Sequence, residues 1–254
     1  MPRRLILAVC ALALTPAFIA CGDDGGDSVT NPGSTRAPGQ TVAVSTASPK
    51  LAAPASQYSV SVDDLGTNWI TDVRGTFVID AAGYAKTQRL FTSEAEGMKL
   101  LKEWGYQGGY ETGYAPEGRD QAVLNGGYYI SIESHLFADD AGAQKAFDYF
   151  VNFVGKTPGA SPVSVPLVGN KSAAFVTTTG TISGSTVKAT YHHVISRRGN
   201  LITISLTKGA ESFMKSDAAL EVALMADEKA LGTRATSVPT ATGDYKTPTP
   251  TPKP

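Results

Sequence analysis

The sequence predicts an α+β fold, a two-layer sandwich in which an antiparallel sheet of about six strands carries three helices on one face. The first observation is the order of the segments, which reads β-α-β-β-α-β-β-β-α along the chain. The second is that short turns join consecutive strands, which requires antiparallel pairing. The third is that three amphipathic helices each need an apolar surface, and an antiparallel sheet has one buried face to offer. We expect the other face to meet solvent or a ligand.

The folded part begins with a strand and a helix. Residues 69–80 are apolar and partly β-branched but are interrupted by Gly75, which predicts a strand with a bulge or turn. Ser93 to Glu96 form a capping box, in which two side chains satisfy the exposed backbone N–H groups of a helix start. The helical stripe that follows ends at Gly105.

The remaining elements follow from alternation and from turn signals. Residues 105–115 and 128–137 alternate in the manner of strands, with a turn at residues 125–127 between them. Asp139 or Asp140 is expected to cap a helix that ends at Gly155. After a proline-rich loop, the predicted elements are strands 173–179, 187–196 and 201–207, a hairpin at 197–200, and a helix capped by Ser216 or Asp217 that stops at Gly232.

Three tyrosines recur in the strand 105–115. Tyr106, Tyr110 and Tyr114 are spaced so that a regular strand would keep them on one face. One interpretation is that these rings pack beneath the helices, since aromatic residues are ordinary in sheet cores. The other is that they form a stacking platform for a sugar or peptide on the open face. These three tyrosines are the ligand-binding candidates of the sequence.

The N-terminus carries the signature of an export signal. Arg3 and Arg4 form a short basic region, an apolar run from Leu5 to Ala20 follows, and Cys21 comes next. Residues 18–21 resemble the lipobox of bacterial lipoproteins, in which the cysteine is lipidated and becomes the first residue of the mature chain. A plain secretory signal is the alternative, whereas a membrane-spanning helix would need about 20 apolar residues. The resemblance implies anchoring to the cell membrane by lipid on Cys21, on the extracytoplasmic side.

Composition divides the chain into four parts. Both flanks of the central region lack sustained apolar periodicity, and the C-terminal flank closes in a Thr-Pro repeat. We therefore predict a signal peptide at 1–20, a disordered tether at 21–56, a globular α+β domain at 57–232 and a disordered Thr/Pro-rich tail at 233–254.

The predicted mature domain has no cysteine available for chemistry and only a small net charge. Cys10 leaves with the signal and Cys21 takes the lipid, so no disulfide and no thiolate ligand remains. Removal of Arg3 and Arg4 leaves 20 basic residues against 23 acidic ones, a net charge near −3. This balance disfavours nucleic acid as a partner.

No motif indicates catalysis. The sequence lacks the nucleophile elbow, the HExxH zinc motif, the phosphate-binding loop and the dinucleotide fingerprint. Glu133 and His135 share a strand face, but a metal site needs three or four ligands. The neighbouring His192 and His193 point to opposite faces. We expect no catalytic residue, no metal and no cofactor.

Several short segments point to a family. Residues 168–175, the hairpin region 196–202, the helix start 141–143 and residues 65–69 resemble bacterial lipoproteins and kinase ectodomains of the PknH-like and LpqN-like sensor type. The resemblance implies an extracytoplasmic α+β domain that senses or binds, without an established activity. The disulfides that line the groove of the kinase ectodomains have no counterpart here.

The predicted function is a ligand-binding or sensory module, whose ligand is a small molecule, a glycan or a protein. An envelope hydrolase is the alternative, with Glu133, His135 and Asp120 as its first candidate residues, and a structural envelope lipoprotein is a third. A concave pocket that unites Glu133, His135 and a further polar group would favour the enzyme, and a shallow aromatic groove would favour the binder.

Overall fold

The structure, a computed structural model, describes residues 45–87 and 89–235. Within these residues the chain forms one seven-stranded antiparallel sheet with the strand order β1-β2-β3-β7-β6-β5-β4. The strands are β1 (Trp69–Ile79), β2 (Tyr106–Pro116), β3 (Tyr128–Phe137), β4 (Ala160–Val163), β5 (Lys171–Thr181), β6 (Lys188–Arg198) and β7 (Leu201–Ala210). The predicted signal peptide and Cys21 lie outside the described residues, as does the tail beyond residue 235.

Six α-helices and one 3-10 helix accompany the sheet in the described part of the chain. They are the 3-10 helix (Ala55–Tyr58), α1 (Val62–Leu65), α2 (Ala81–Thr87), α3 (Glu94–Glu103), α4 (Arg119–Leu124), α5 (Asp140–Gly155) and α6 (Ser216–Ala230). None of these described helices is both long and apolar enough to cross a membrane.

The predicted α+β class is confirmed, and so are two of the predicted caps. The Glu96 backbone N–H donates to Ser93 Oγ at 3.1 Å at the start of α3, and the Gly142 N–H donates to Asp139 Oδ1 at 2.8 Å at the start of α5. The residue at the N-cap of α6 is Lys215, not Ser216 or Asp217. The predicted break in β1 is present as a register shift between Asp72 and Phe77.

The predicted counts of six strands and three helices are wrong. The seventh strand is β4, a four-residue edge strand inside the proline-rich loop. The additional helices α1, α2 and α4 span four to seven residues each. Segments this short show less than two turns of apolar periodicity, which is the signal on which a helix prediction depends.

The prediction of helices on one face is also wrong, because both faces of the sheet are covered. One face, which we call the α5 face, packs against α2, α3 and α5, with Phe147 and Phe150 of α5 in its core. The opposite face, which we call the α6 face, packs against the 3-10 helix, α1 and α6. Lys229 Nζ lies 2.7 Å from Asp64 Oδ2, and this ion pair joins α6 to α1.

Part of the predicted tether is bound to the sheet. Asn200, at the turn between β6 and β7, accepts a hydrogen bond from the Leu51 N–H at 2.7 Å and donates to the Leu51 carbonyl at 3.0 Å. Arg198 Nη1 donates to the carbonyl oxygens of Ser45 and Ala47 at 2.6 and 2.7 Å. The folded region therefore begins before residue 57. The segment before that residue shows no apolar periodicity, but side chains of the β6–β7 hairpin satisfy its backbone N–H and C=O groups.

Candidate functional site

Two adjoining cavities lie on the α5 face of the sheet. Their volumes are about 490 and 460 Å³. Four residues of the central strands line both: Glu111 of β2, Ser131 of β3, Tyr191 of β6 and Leu206 of β7. Because the two cavities share this floor, they form one continuous depression across the sheet, which we call the groove.

The first cavity combines an apolar wall with polar residues, and Leu206 of the shared floor also belongs to that wall. Leu90, Phe153 and Val154 come from the segment before α3 and from the last turns of α5, and Ile204 and Leu206 come from β7. The polar part is supplied by the remaining lining residues, Arg89, Glu111, Ser131, Glu133, Thr157, Thr177, Thr179, Tyr191 and His193. This mixture is typical of small-molecule sites, in which a few polar groups orient an otherwise apolar ligand.

Two glutamates of neighbouring strands converge on one arginine. Glu111 and Glu133 are register partners of β2 and β3 and face the same side. Arg89 Nη1 donates to Glu111 Oε2 at 2.8 Å and to Glu133 Oε1 at 3.0 Å. The Ser131 hydroxyl donates to the other Glu111 oxygen at 3.0 Å. The pair is largely shielded from water, with exposed side-chain fractions of 7% for Glu111 and 13% for Glu133.

The environment separates the pKa values of these glutamates. Burial, followed by the charge of Glu133, raises the pKa of Glu111 to about 7, although Arg89 opposes the shift. Burial would also raise the pKa of Glu133, but the hydrogen bond with His135 and the charge of Arg89 outweigh it and hold that pKa below its ordinary value. Glu111 is therefore the group that gains a proton first when the pH falls.

Glu133 has a second partner in His135, which lies in a buried cluster of aromatic residues. His135 Nε2 lies 3.0 Å from Glu133 Oε2, and because an ionised carboxylate only accepts, the ring nitrogen donates. His135 Nδ1 lies 3.2 Å from the Tyr106 hydroxyl, and the Tyr84 ring stacks on the histidine at 4.4 Å between centroids. His135 is completely buried, so it positions Glu133 without lining the cavity.

The second cavity is more open and more highly charged. The Tyr129 hydroxyl donates to Asp120 Oδ1 at 2.5 Å. The Lys208 ammonium lies 5.9 Å from the Tyr129 ring centroid and 5.7 Å from that of Tyr191, within the range of cation–π contacts. Asp72, Arg74 and Arg119 line the same cavity, so both acidic and basic groups lie at this end of the groove.

The three tyrosines singled out from the sequence do not share a face. A register shift between Tyr106 and Gly108, where the glycine has a φ of +139°, turns Tyr106 to the α5 face. Tyr110 and Tyr114 point to the α6 face, where both are at least 98% buried. The Tyr114 hydroxyl donates to the Val60 carbonyl at 2.6 Å. The predicted common stripe is thus absent, because one bulge reverses the alternation.

The residues suggested for hydrolysis are brought together in part. Glu133 and His135 form a hydrogen-bonded pair, whereas Asp120 lies at the second cavity with Tyr129. His192 faces α6 and His193 lines the first cavity, as their adjacency in a strand predicts. In residues 45–87 and 89–235, no group of three or more His, Cys, Asp or Glu residues is arranged to hold a metal ion.

Sequence reasoning missed Arg89 and Glu111. Glu111 had one signal, since it is the single charged residue of its strand and a charged side chain needs a partner once it is buried. Arg89 had none, because it precedes α3 and reaches Glu133 across 44 positions of sequence. Gly109 lies beside the same cluster. A Cβ atom at this position would come within 2.6 Å of His135 Nδ1, which is too close for a larger residue without a shift of the histidine.

Comparison with known proteins gives distant likenesses. No protein-family model matches the chain, and no curated protein matches it. Among solved structures, the extracellular domain of PknH from Mycobacterium tuberculosis aligns with 70% of this chain and 94% of its own, at 10% identity and a TM-score of 0.43. LpqN, described as involved in cell envelope biogenesis of the same organism, aligns with 48% of this chain and 68% of its own, at 10% identity and a TM-score of 0.24. Neither likeness is close enough to support an argument about function.

Proposed function

We propose that the chain is an extracytoplasmic binding module whose ligand occupies the groove on the α5 face. The observation that carries this proposal is the continuity of the two cavities over a floor supplied by strands β2, β3, β6 and β7. The first cavity, at about 490 Å³, falls within the range of ordinary small-molecule sites. A site built on central strands also keeps its geometry better than one built on loops.

The cellular setting of this proposal comes from the sequence. The lipobox ending at Cys21 supports export and lipid anchoring, which would hold the domain at the outer side of the cell membrane. The ligand in this setting is a small molecule or an extended segment of a glycan or peptide from the envelope.

A hydrolytic role is the second candidate, because Glu133, His135 and Glu111 cluster beside one concave pocket. The pair of carboxylates with pKa values pushed apart is the arrangement that general acid and base catalysis uses. The position of His135 favours binding instead, because this residue is completely buried and does not line the cavity.

The proposal is tested by identifying the small molecules that stay bound to the protein during purification. The full chain is isolated from bacterial membranes, and small molecules bound to it are identified by mass spectrometry. Leu206→Trp fills the floor that both cavities share, and Leu167→Trp makes the same change at a site that is 46% exposed and outside the groove. We expect a bound molecule in the unmodified chain and in the Leu167 variant but not in the Leu206 variant. Equal retention by both variants, or no bound molecule in any of the three, contradicts the proposal.

A further inference from the structure

The first cavity holds two carboxylates that share one basic group. Glu133 has a second partner in His135, whereas the second partner of Glu111 is the uncharged Ser131 hydroxyl. Glu111 is 6% exposed, so water does little to compensate its charge. A buried carboxylate is stabilised by pairing with a cation, and a single guanidinium nitrogen divided between two carboxylates pairs each of them incompletely.

The other charged groups of the groove do not complete this cluster. The Lys208 ammonium lies over the rings of Tyr129 and Tyr191 in the second cavity. Arg74 pairs with Asp72 instead, with 3.8 Å between Arg74 Nε and Asp72 Oδ1. Burial lowers the pKa of His193 to about 4, so this residue contributes no positive charge near neutral pH. Among the described residues, Arg89 is the cation that is hydrogen-bonded to Glu111.

We propose that the first cavity takes an organic cation, a ligand whose protonated amine binds against Glu111 and Glu133 and whose hydrocarbon part lies on the apolar wall. This inference rests on the proposed function and names the class of its ligand. An ammonium group has three N–H donors, and each oxygen of the two carboxylates can accept a further hydrogen bond beside the one it already accepts. The wall formed by Leu90, Phe153, Val154, Ile204 and Leu206 gives a short alkyl chain or a ring an apolar surface.

The test compares three probes that share one hydrocarbon chain. Hexylammonium, hexanol and hexanoate are titrated calorimetrically into the full chain at about pH 8, where both glutamates are mostly ionised and the amine is protonated. We expect hexylammonium to bind about tenfold or more tightly than hexanol, the range of a hydrogen bond to a charged group, and hexanoate to bind most weakly.

Two variants assign that preference to Glu111. Glu111→Gln keeps the shape of the side chain and removes its charge, so the preference for hexylammonium over hexanol should fall about tenfold. Glu103→Gln makes the same change on a side chain of α3 that is 51% exposed, and it should leave the preference unchanged. If Glu111→Gln fails to fold, Arg89→Gln replaces it, and the preference should then rise because the competing cation is gone.

The outcomes separate this inference from the function on which it rests. Hexanol binding as tightly as hexylammonium, with both lost in Leu206→Trp, overturns the cation proposal and leaves the groove as a binding site. A preference for the amine that persists in Glu111→Gln also overturns it, because the charge would then be recognised elsewhere. If no probe binds while a molecule co-purifies in the groove, the cation proposal fails and the proposed function stands.

Discussion

Glu111 and Glu133 stand directly opposite each other on β2 and β3, and both accept a hydrogen bond from the same nitrogen of Arg89. Like charges directly opposite on paired strands are destabilising, so this arrangement depends on the arginine between them. It also lies in the lining of the first cavity of the groove. The stability and the binding behaviour of the domain should therefore respond to the same residues.

Removal of Arg89 should destabilise the domain. Arg89→Ala leaves two buried carboxylates without their common partner, and we expect the free energy of unfolding to fall by about 1 to 3 kcal/mol, as measured in urea at neutral pH. Adding Glu111→Gln should recover most of that loss. Arg74→Ala is the control, because its side chain is 84% exposed and a surface pair contributes little. Equal losses for the two arginine variants would contradict the role given to Arg89.

Glu111 should make the domain less stable as the pH rises. Burial and the charge of Glu133 raise its pKa to about 7 in the folded protein, from an ordinary value of 4.5. Between these values the folded chain binds more protons than the unfolded chain, so the contribution of Glu111 is present below about pH 4.5 and is lost as the pH rises through about 7. Glu111→Gln should therefore gain stability relative to the unmodified chain between about pH 5 and pH 8. Thermal melts across this range that show a constant difference would refute the assignment.

Tyr110 should behave as a core residue. It is 2% exposed and packs with Ala55, Tyr58 and Leu201 beneath the 3-10 helix. Tyr110→Ala should create a cavity and lower the free energy of unfolding by about 3 to 5 kcal/mol. Phe213→Ala removes an aromatic ring that is 53% exposed and should have a small effect. A Tyr110 variant that melts like the unmodified chain would favour the open-face platform instead.

Asn200 should be needed to hold the segment 45–56 on the fold. Its amide bonds to both backbone groups of Leu51 and donates to the Phe137 carbonyl at 2.7 Å. Asn200→Ala leaves buried backbone groups without partners, and we expect a loss of about 2 kcal/mol or more. Hydrogen exchange should show reduced protection of the Leu51 amide, whereas the exposed Asn152→Ala should leave it unchanged. Unaltered protection in the Asn200 variant would mean that other contacts hold the segment.

Cys21 should determine membrane association. The lipobox predicts that the unmodified chain partitions into the detergent phase of a phase separation and that Cys21→Ala partitions into water, because two or more acyl chains give stable anchoring. The matched control is Cys10→Ala, which changes a cysteine within the predicted signal. If the unmodified chain and the Cys21 variant both remain in the aqueous phase, the anchor is refuted.

The elements with strong local signals could be predicted from the sequence. The caps at Ser93 and Asp139 and the alternation of β3 depend on residues close together in the chain. The covering of both sheet faces could not be predicted in the same way. It depends on α6, whose own sequence does not indicate which face of the sheet it covers, and on the 3-10 helix and α1, which have four residues each and show no periodicity.

The candidate site was less accessible to sequence reasoning than the fold. The pairing of Glu133 with His135 follows from their spacing of two in a strand. The pairing of Glu111 with Glu133 depends on the register between β2 and β3, and a single bulge after Tyr106 shifts that register. Because a shift of one residue exchanges the two faces of a strand, the tyrosine stripe could not be assigned to one side from the sequence.

A crystal structure of the full chain, purified from bacterial membranes without added ligand, would show whether the groove is the binding site. We expect electron density that the protein does not explain, within contact distance of Glu111, Tyr191 and Leu206. A groove filled by ordered water alone, with a bound molecule on the α6 side or on another surface, would contradict it.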